Sequence, residues 1–231
     1  MEDKSQRQLV QYSAYRVEPA WRRLPEVERE AGRKEALSAF EGFQDRMILR
    51  FYSLVGIRGD ADFLIWKVAS SLEDLQEFQT RLFRTALGGY LTIPYSFLGM
   101  TKRSMYVDKH IHEGQEGQRL KVIPGRAKYL FIYPFVKTRA WYALPRDRRQ
   151  VMMDEHIRIG HRYPTVKLNT SYSFGIDDQE FVVAFESDSA ADFLDLVMEL
   201  RESEASAYTL RDTPILTCIA KSPGEMLDSL G

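Results

Sequence analysis

The sequence predicts an α+β fold: two ferredoxin-like halves, each running β-α-β-β-α-β, closed into one dimeric α+β barrel. Three observations carry that prediction. The phrase A-W-x-x-L-P-x-x-x-R is written twice, as AWRRLPEVER over 20–29 and as AWYALPRDRR over 140–149. Around each copy the same six elements follow in the same order, with Gly56 and Gly175, and likewise Lys102 and Lys221, 119 residues apart. A single ferredoxin-like sheet carries its helices on one face and leaves the other bare, so two halves bury their bare faces together.

The first half opens on the strand-like run LVQYSAYRV. Pro25 follows at the position where a helix starts without needing an N–H. After that helix comes RMILRFYSLVG, ending at a glycine that leads into the acidic turn GIRGDAD. FLIWKVA is the next strand, SLEDLQEFQTRLF the second helix, and SFLGMTKRS the closing run. The second half repeats the series with YLFIYPFVK, Pro145, TVKLNTSYSFG, GIDDQE, FVVAFES, AADFLDLVMELRE and ILTCIAKS. The halves therefore span 1–105 and 129–231. The segment 106–128 between them contains VDKHIHEGQEGQR, polar and glycine-bearing, and reads as a connecting loop longer than most.

Composition narrows the function classes. A hydrophobic content of 44% with 28% charged residues is that of a folded domain able to bury its own core. A net charge of −1 argues against a nucleic-acid partner, which an excess of Lys and Arg would hold. No apolar run approaches the ~20 residues of a membrane span. The start, MEDKSQRQLVQYS, has no apolar core of a signal peptide, and the single Cys218 fits a reducing compartment. The expected location is cytoplasmic.

Duplicated halves begin with equal chemistry, so positions where they differ point to function. At an offset of 120, His156 stands opposite Ala36, Tyr133 opposite Ser13, and Lys137 opposite Val17. The second half holds an imidazole, a phenol and an amine where the first has small or apolar groups, which places a site in the C-terminal half. In the helix RDRRQVMMDEHIRIGHRY, residues Met152, His156, Ile159 and Tyr163 form one stripe at 100° per residue. His161 lies off that stripe, toward solvent. His156 is then either a core histidine bonded to a carbonyl or an axial ligand. A lone imidazole among Met and Ile does not suit zinc, which takes three or four protein ligands. It does suit haem iron, where the porphyrin supplies four nitrogens. Tyr133, Phe135 and Lys137 share one strand face by two-residue alternation, as a rim pair or as a proton and electron relay. His110 and His112 have no third ligand in their segment and read as a solvated loop.

The run KYLFIYPFVKTRAWYALPRDRR, then MMDEH, SFGIDDQEFVVAFE and LRESEASAYTLRDTP, resembles the chlorite dismutase-like haem-binding family, and most nearly its coproheme decarboxylase branch. The resemblance covers nearly the whole chain and agrees with the barrel of two halves. It implies a haem or coproheme cofactor and assembly as a homo-oligomer, a ring of five. It further implies that iron coproporphyrin III loses two propionates as carbon dioxide, with hydrogen peroxide as oxidant and haem b as product. By position, His156 matches the family's iron ligand, Tyr133 the tyrosine used as a radical, and Lys137 the lysine beside the second reactive propionate. Arg119 matches a propionate-binding arginine, Glu204 an acidic residue near the proximal histidine, and Trp141 a tryptophan packed near the porphyrin. Thr213 takes the place of a propionate-binding serine.

One departure matters for the chemistry. At the distal position, where chlorite dismutases have arginine and decarboxylases commonly glutamine or histidine, this chain has Leu168. Leucine neither holds an anion nor donates a hydrogen bond. That counts against chlorite decomposition and leaves peroxide without its usual helper. The competing expectations are a haem peroxidase or chlorite dismutase-like enzyme, and a haem-binding barrel without turnover.

Overall fold

The computed structural model describes residues 7–104, 106 and 121–231. The first half runs β1 (Leu9–Val17), α1 (Glu26–Glu41), β2 (Ile48–Ser53), β3 (Phe63–Ala69), α2 (Leu72–Phe83) and β4 (Leu91–Met100). The second runs β5 (Tyr129–Lys137), the short α3 (Arg139–Ala143), α4 (Arg146–Gly160), β6 (Lys167–Tyr172), β7 (Phe181–Ser187), α5 (Ala190–Glu202), β8 (Thr209–Arg211) and β9 (Leu216–Lys221), with α6 (Pro223–Asp228) at the end. The duplicated order is as the sequence predicts, while α3, β8 and α6 are additions that the repeat did not announce. Among the described residues no helix is long and apolar enough to cross a membrane.

Local signals account for the shared elements. Pro25 and Pro145 stand immediately before α1 and α4, where no intrahelical N–H bond is lost. Ser71 and Ser189 cap α2 and α5 alike, each side chain accepting the backbone N–H three residues on. Gly56 (φ 76°) and Gly175 (φ 71°) take the left-handed conformation after β2 and β6, which a side chain would resist. That requirement explains why the same glycine stands in both halves.

All strand pairs are antiparallel, in the order β7-β6-β4-β1-β3-β2-β9-β5-β8, and a further β7–β5 pairing closes the barrel. The halves meet at two seams. At one, β2 pairs with β9 through Phe51, Tyr52 and Ser53. At the other, β4 and β6 share only the Met100–Tyr172 pair. Two-residue alternation divides the side chains. One set, including Tyr12, Trp66, Leu130, Ile132, Val182, Ala184 and Cys218, fills the barrel interior. Cys218 is fully buried there, as a small hydrophobe.

The outward-facing set meets the helices, and here the halves part. In the first half Tyr15, Phe40, Phe43, Phe63, Ile65 and Phe78 form one continuous cluster, completed by Met226, Leu227 and Leu230 from α6 and the residues after it. In the second half the corresponding layer is split into two smaller clusters. One contains Phe131, Ile159, Phe185 and Phe193, the other Trp141, Met152 and Ala205.

Candidate active site

Within the second half's helix-facing layer lies a cavity of about 630 Å³, within the range of small-molecule and cofactor pockets. The sheet supplies one wall: Tyr133, Phe135 and Lys137 from β5, Phe181, Val183 and Phe185 from β7, and Leu168, Thr170 and Tyr172 from β6. Each set is one face of its strand. The helix wall is α4, whose Arg149, Met153, His156 and Ile157 recur at helical spacing. His156 is half-buried, between the buried Met152 and Ile159 of the same helix.

The electrostatics suit an imidazole that stays neutral and acts as a ligand rather than as a base. Burial, and then the nearby Lys137 ammonium, push the His156 pKa down to about 4, so it is neutral at pH 7. Lys137 is itself lowered to about 8 by burial, against the opposing pull of Glu180. Its ammonium donates to the Ala205 carbonyl at 2.7 Å and lies 4.6 Å from the centre of the Trp141 ring. The Tyr133 phenol is pushed above its ordinary range, chiefly by burial and then by the Asp212 carboxylate. Tyr133 is therefore a protonated phenol near neutral pH.

The cavity thus brings together His156, Tyr133, Lys137, Trp141 and Leu168 from the sequence-predicted set. Leu168 is 47% exposed and faces the cavity as an apolar side chain. Glu204 is exposed, bonds to Arg148 and does not line the cavity. Thr213 is also off the lining, whereas its neighbour Asp212 is the carboxylate that Tyr133 feels. Arg119, His110 and His112 lie outside the described residues.

Two contributions were not read from the sequence. Glu180, immediately before β7, is buried and accepts both the Lys137 backbone N–H (2.8 Å) and the Tyr142 hydroxyl (2.6 Å). The expectation of a site built in the C-terminal half also needs correction. Arg7, Met100, Thr101, Lys102, Arg103 and Ser104 line the cavity too, so the first half forms one of its walls. The reason is the seam between the halves: the end of β4 meets β6 at Tyr172, and Gln8 is tied to Thr101 there. Among the described residues, the lining carries five Lys and Arg side chains and no carboxylate.

No group of three or more His, Cys, Asp or Glu side chains converges among the described residues. A metal held by His156 would need to bring most of its other ligands with it.

A family model described as chlorite dismutase matches residues 29–221. The chain belongs to the chlorite dismutase family. A relative from Mycolicibacterium smegmatis, named coproheme decarboxylase, is 33% identical over 167 residues, covering 72% of this chain and 70% of that one. Among solved structures, a variant chlorite dismutase from Candidatus Nitrospira defluvii superposes with a TM-score of 0.88 at 26% identity, covering 97% of this chain and 95% of the other. A protein from Thermus thermophilus, described as a novel heme-binding protein, shares the fold with a TM-score of 0.85 at 24% identity, over 96% and 94% of the chains. The family's barrel is thus the barrel seen here.

Proposed function

We propose that this chain is a coproheme decarboxylase, an oxidoreductase that uses hydrogen peroxide to convert iron coproporphyrin III to haem b. The observation that carries the reading is the convergence of His156, Tyr133 and Lys137 on one cavity, from α4 on one wall and one face of β5 on the other. The 33% identity to a protein named coproheme decarboxylase supports the choice of reaction.

The residues fit an iron porphyrin. The apolar sheet wall suits the face of a flat macrocycle. His156 offers a neutral imidazole, and the cationic lining suits carboxylates at the ring's edge. The Nε of Arg149, on that lining, is buried without a hydrogen-bond partner among the described residues, which is the state of a donor awaiting an acceptor. When bound, the iron supplies the oxidising chemistry with peroxide.

The chain's own residues do the rest. His156 holds the iron from the helix wall. Tyr133, kept protonated by its burial, would pass its hydroxyl hydrogen as a neutral unit to the bound peroxide oxidant and take a hydrogen back from the neighbouring propionate, and the same peroxide would accept the second electron as carbon dioxide leaves. Lys137 holds a reacting carboxylate by a charge-assisted hydrogen bond. For each propionate, one peroxide becomes two waters, one carboxylic acid leaves as carbon dioxide, and a vinyl group remains.

The test is to load purified protein with iron coproporphyrin III, titrate in hydrogen peroxide, and follow the extracted porphyrin by mass spectrometry. Stepwise loss of two carboxyl groups through a three-propionate intermediate is expected. Tyr133→Phe should bind the porphyrin and leave it intact. Bleaching of the ring without decarboxylation would leave the second reading, a haem-binding barrel without this turnover, which Leu168 favours because it offers peroxide no hydrogen bond.

A further inference from the structure

The first half holds a buried polar chain in the layer where the second half opens its cavity. By two-residue alternation Lys67 shares the helix-facing side of β3 with Phe63 and Ile65, and Ser13 that of β1 with Tyr15. Lys67 is fully buried, and its Nζ, over the Phe78 ring of α2, donates to the Ser13 hydroxyl at 2.9 Å. The Tyr15 hydroxyl donates to Gln79 Oε1 at 2.6 Å. Burial pushes the Tyr15 phenol above its ordinary range, and hydrogen bonding from Ser13 and then Gln79 opposes it. Lys67, Ser13, Tyr15 and Gln79 therefore form one chain from β3 to α2.

What the chain leaves over is all of one kind. Ser13 accepts from Lys67, and Gln79 Oε1 accepts from Tyr15. At one end the other N–H groups of Lys67 remain. At the other is Gln79 Nε2, buried with no hydrogen-bond partner among the described residues. Buried donors without an acceptor cost free energy. No carboxylate among the described residues counters the burial that lowers Lys67 to about 7.

A water between the two ends would accept from both, but would bring two more hydrogens to a place already in surplus of donors. A halide accepts from every side and brings none, and its charge offsets the cost of an ammonium buried alone. Phe63, Leu75 and Phe78 are buried around the chain, which limits the ligand to a single atom. The way in is short: Gln11, opposite Lys67 in the β1–β3 register, is half-buried and reaches the exposed Ser96.

We propose that Lys67 and Gln79 bind a chloride ion in the helix-facing layer of the first half. This site is independent of the porphyrin reading above.

The test uses the full chain without porphyrin. Urea unfolding is compared in sodium chloride and in sodium gluconate, whose anion is too large for the site, at equal ionic strength. The folding equilibrium constant should rise with chloride, about tenfold over gluconate at about ten times the Kd. Lys67→Met and Gln79→Leu should each lose that difference, since each removes a donor and leaves an apolar chain of similar size. Crystals soaked in sodium bromide should show anomalous scattering between Lys67 Nζ and Gln79 Nε2, absent in Lys67→Met. Equal stability of the wild type in the two salts would overturn the proposal, and so would a chloride effect that survives in both variants. Bromide in the crystal without a chloride effect in solution would be an adventitious ion only, and a peak without anomalous signal would be an ordered water. Either result also overturns it.

Discussion

Lys67 donates from Nζ to the Ser13 hydroxyl at 2.9 Å, in the layer of the first half that corresponds to the cavity layer of the second. Ser13 occupies the strand position that Tyr133 occupies in the repeat. Lys67 is fully buried, its ammonium 5.3 Å from the Phe78 ring, and Tyr15 nearby donates to Gln79. Where one half opened a cavity, the other is filled with side chains, an amine among them.

That burial predicts a pH dependence of stability. It pushes the Lys67 pKa down to about 7, below the ~10.4 of an unfolded lysine. Between those values the unfolded chain binds more protons than the folded one, so this group makes stability rise with pH, by at most ~1.4 kcal/mol per unit. Below pH 7 its contribution is flat. Urea unfolding of wild type and Lys67→Met from pH 6 to 10 should show the variant more stable at pH 7, with the gap closing as pH rises. Parallel curves would mean that Lys67 is not held in the neutral form.

The fold was legible in the sequence because duplication repeats whatever local chemistry is obligatory: a helix-starting proline, a left-handed glycine, a serine cap. His156 was legible because four residues at helical spacing define a face without any tertiary knowledge. The contributions of Arg7, Lys102 and Glu180 were not, for a physical reason. Lys102 reaches the cavity only because β4 meets β6 across the seam, and Arg7 only because Gln8 pairs with Thr101, 93 residues away. Glu180 looked like part of an acidic turn until Lys137 and Tyr142 were found bonded to it. Periodicity reports which way a residue faces, and not what stands opposite.

Lys137 should be felt by His156 even in the ligand-free protein. Its ammonium is the second cause, after burial, of the low imidazole pKa. Lys137→Met should therefore raise the His156 pKa from about 4 while leaving it below the unperturbed ~6.5, because burial remains. Titration of the His156 ring protons by NMR in apoprotein reads this directly. An unmoved midpoint would show the two groups to be insulated from one another.

Glu180 should be coupled to Tyr142 in stability. Hydrogen bonds to an ionised acceptor are worth ~1.5–3 kcal/mol, and burial of the carboxylate raises the cost of removing its partner. Glu180→Gln and Tyr142→Phe should each destabilise the fold by about 1–3 kcal/mol, and the double variant by clearly less than their sum. Additive losses in denaturant unfolding would mean that the 2.6 Å contact contributes little.

Leu168 lies opposite Phe185 in the β6–β7 register and shares its strand face with Thr170 and Tyr172, all on the cavity lining. An apolar side chain there leaves any peroxide in the cavity without a donor from this position. Preorganised donors aimed at developing charge are worth about 10²–10³ in rate where they have been removed from other enzymes. Leu168→Gln introduces an amide donor of similar length on the same strand face, so peroxide-dependent conversion of iron coproporphyrin III should speed up by roughly tenfold or more. On the porphyrin reading affinity should hardly move, because a leucine side chain offers a carboxylate no hydrogen bond to lose. Single-turnover mixing of the loaded protein with peroxide separates the two effects. A faster reaction at unchanged affinity would place residue 168 beside the reacting peroxide. An unchanged rate would put it against the ring alone, and the chemistry would then depend on iron, His156 and Tyr133 without a distal donor at this position.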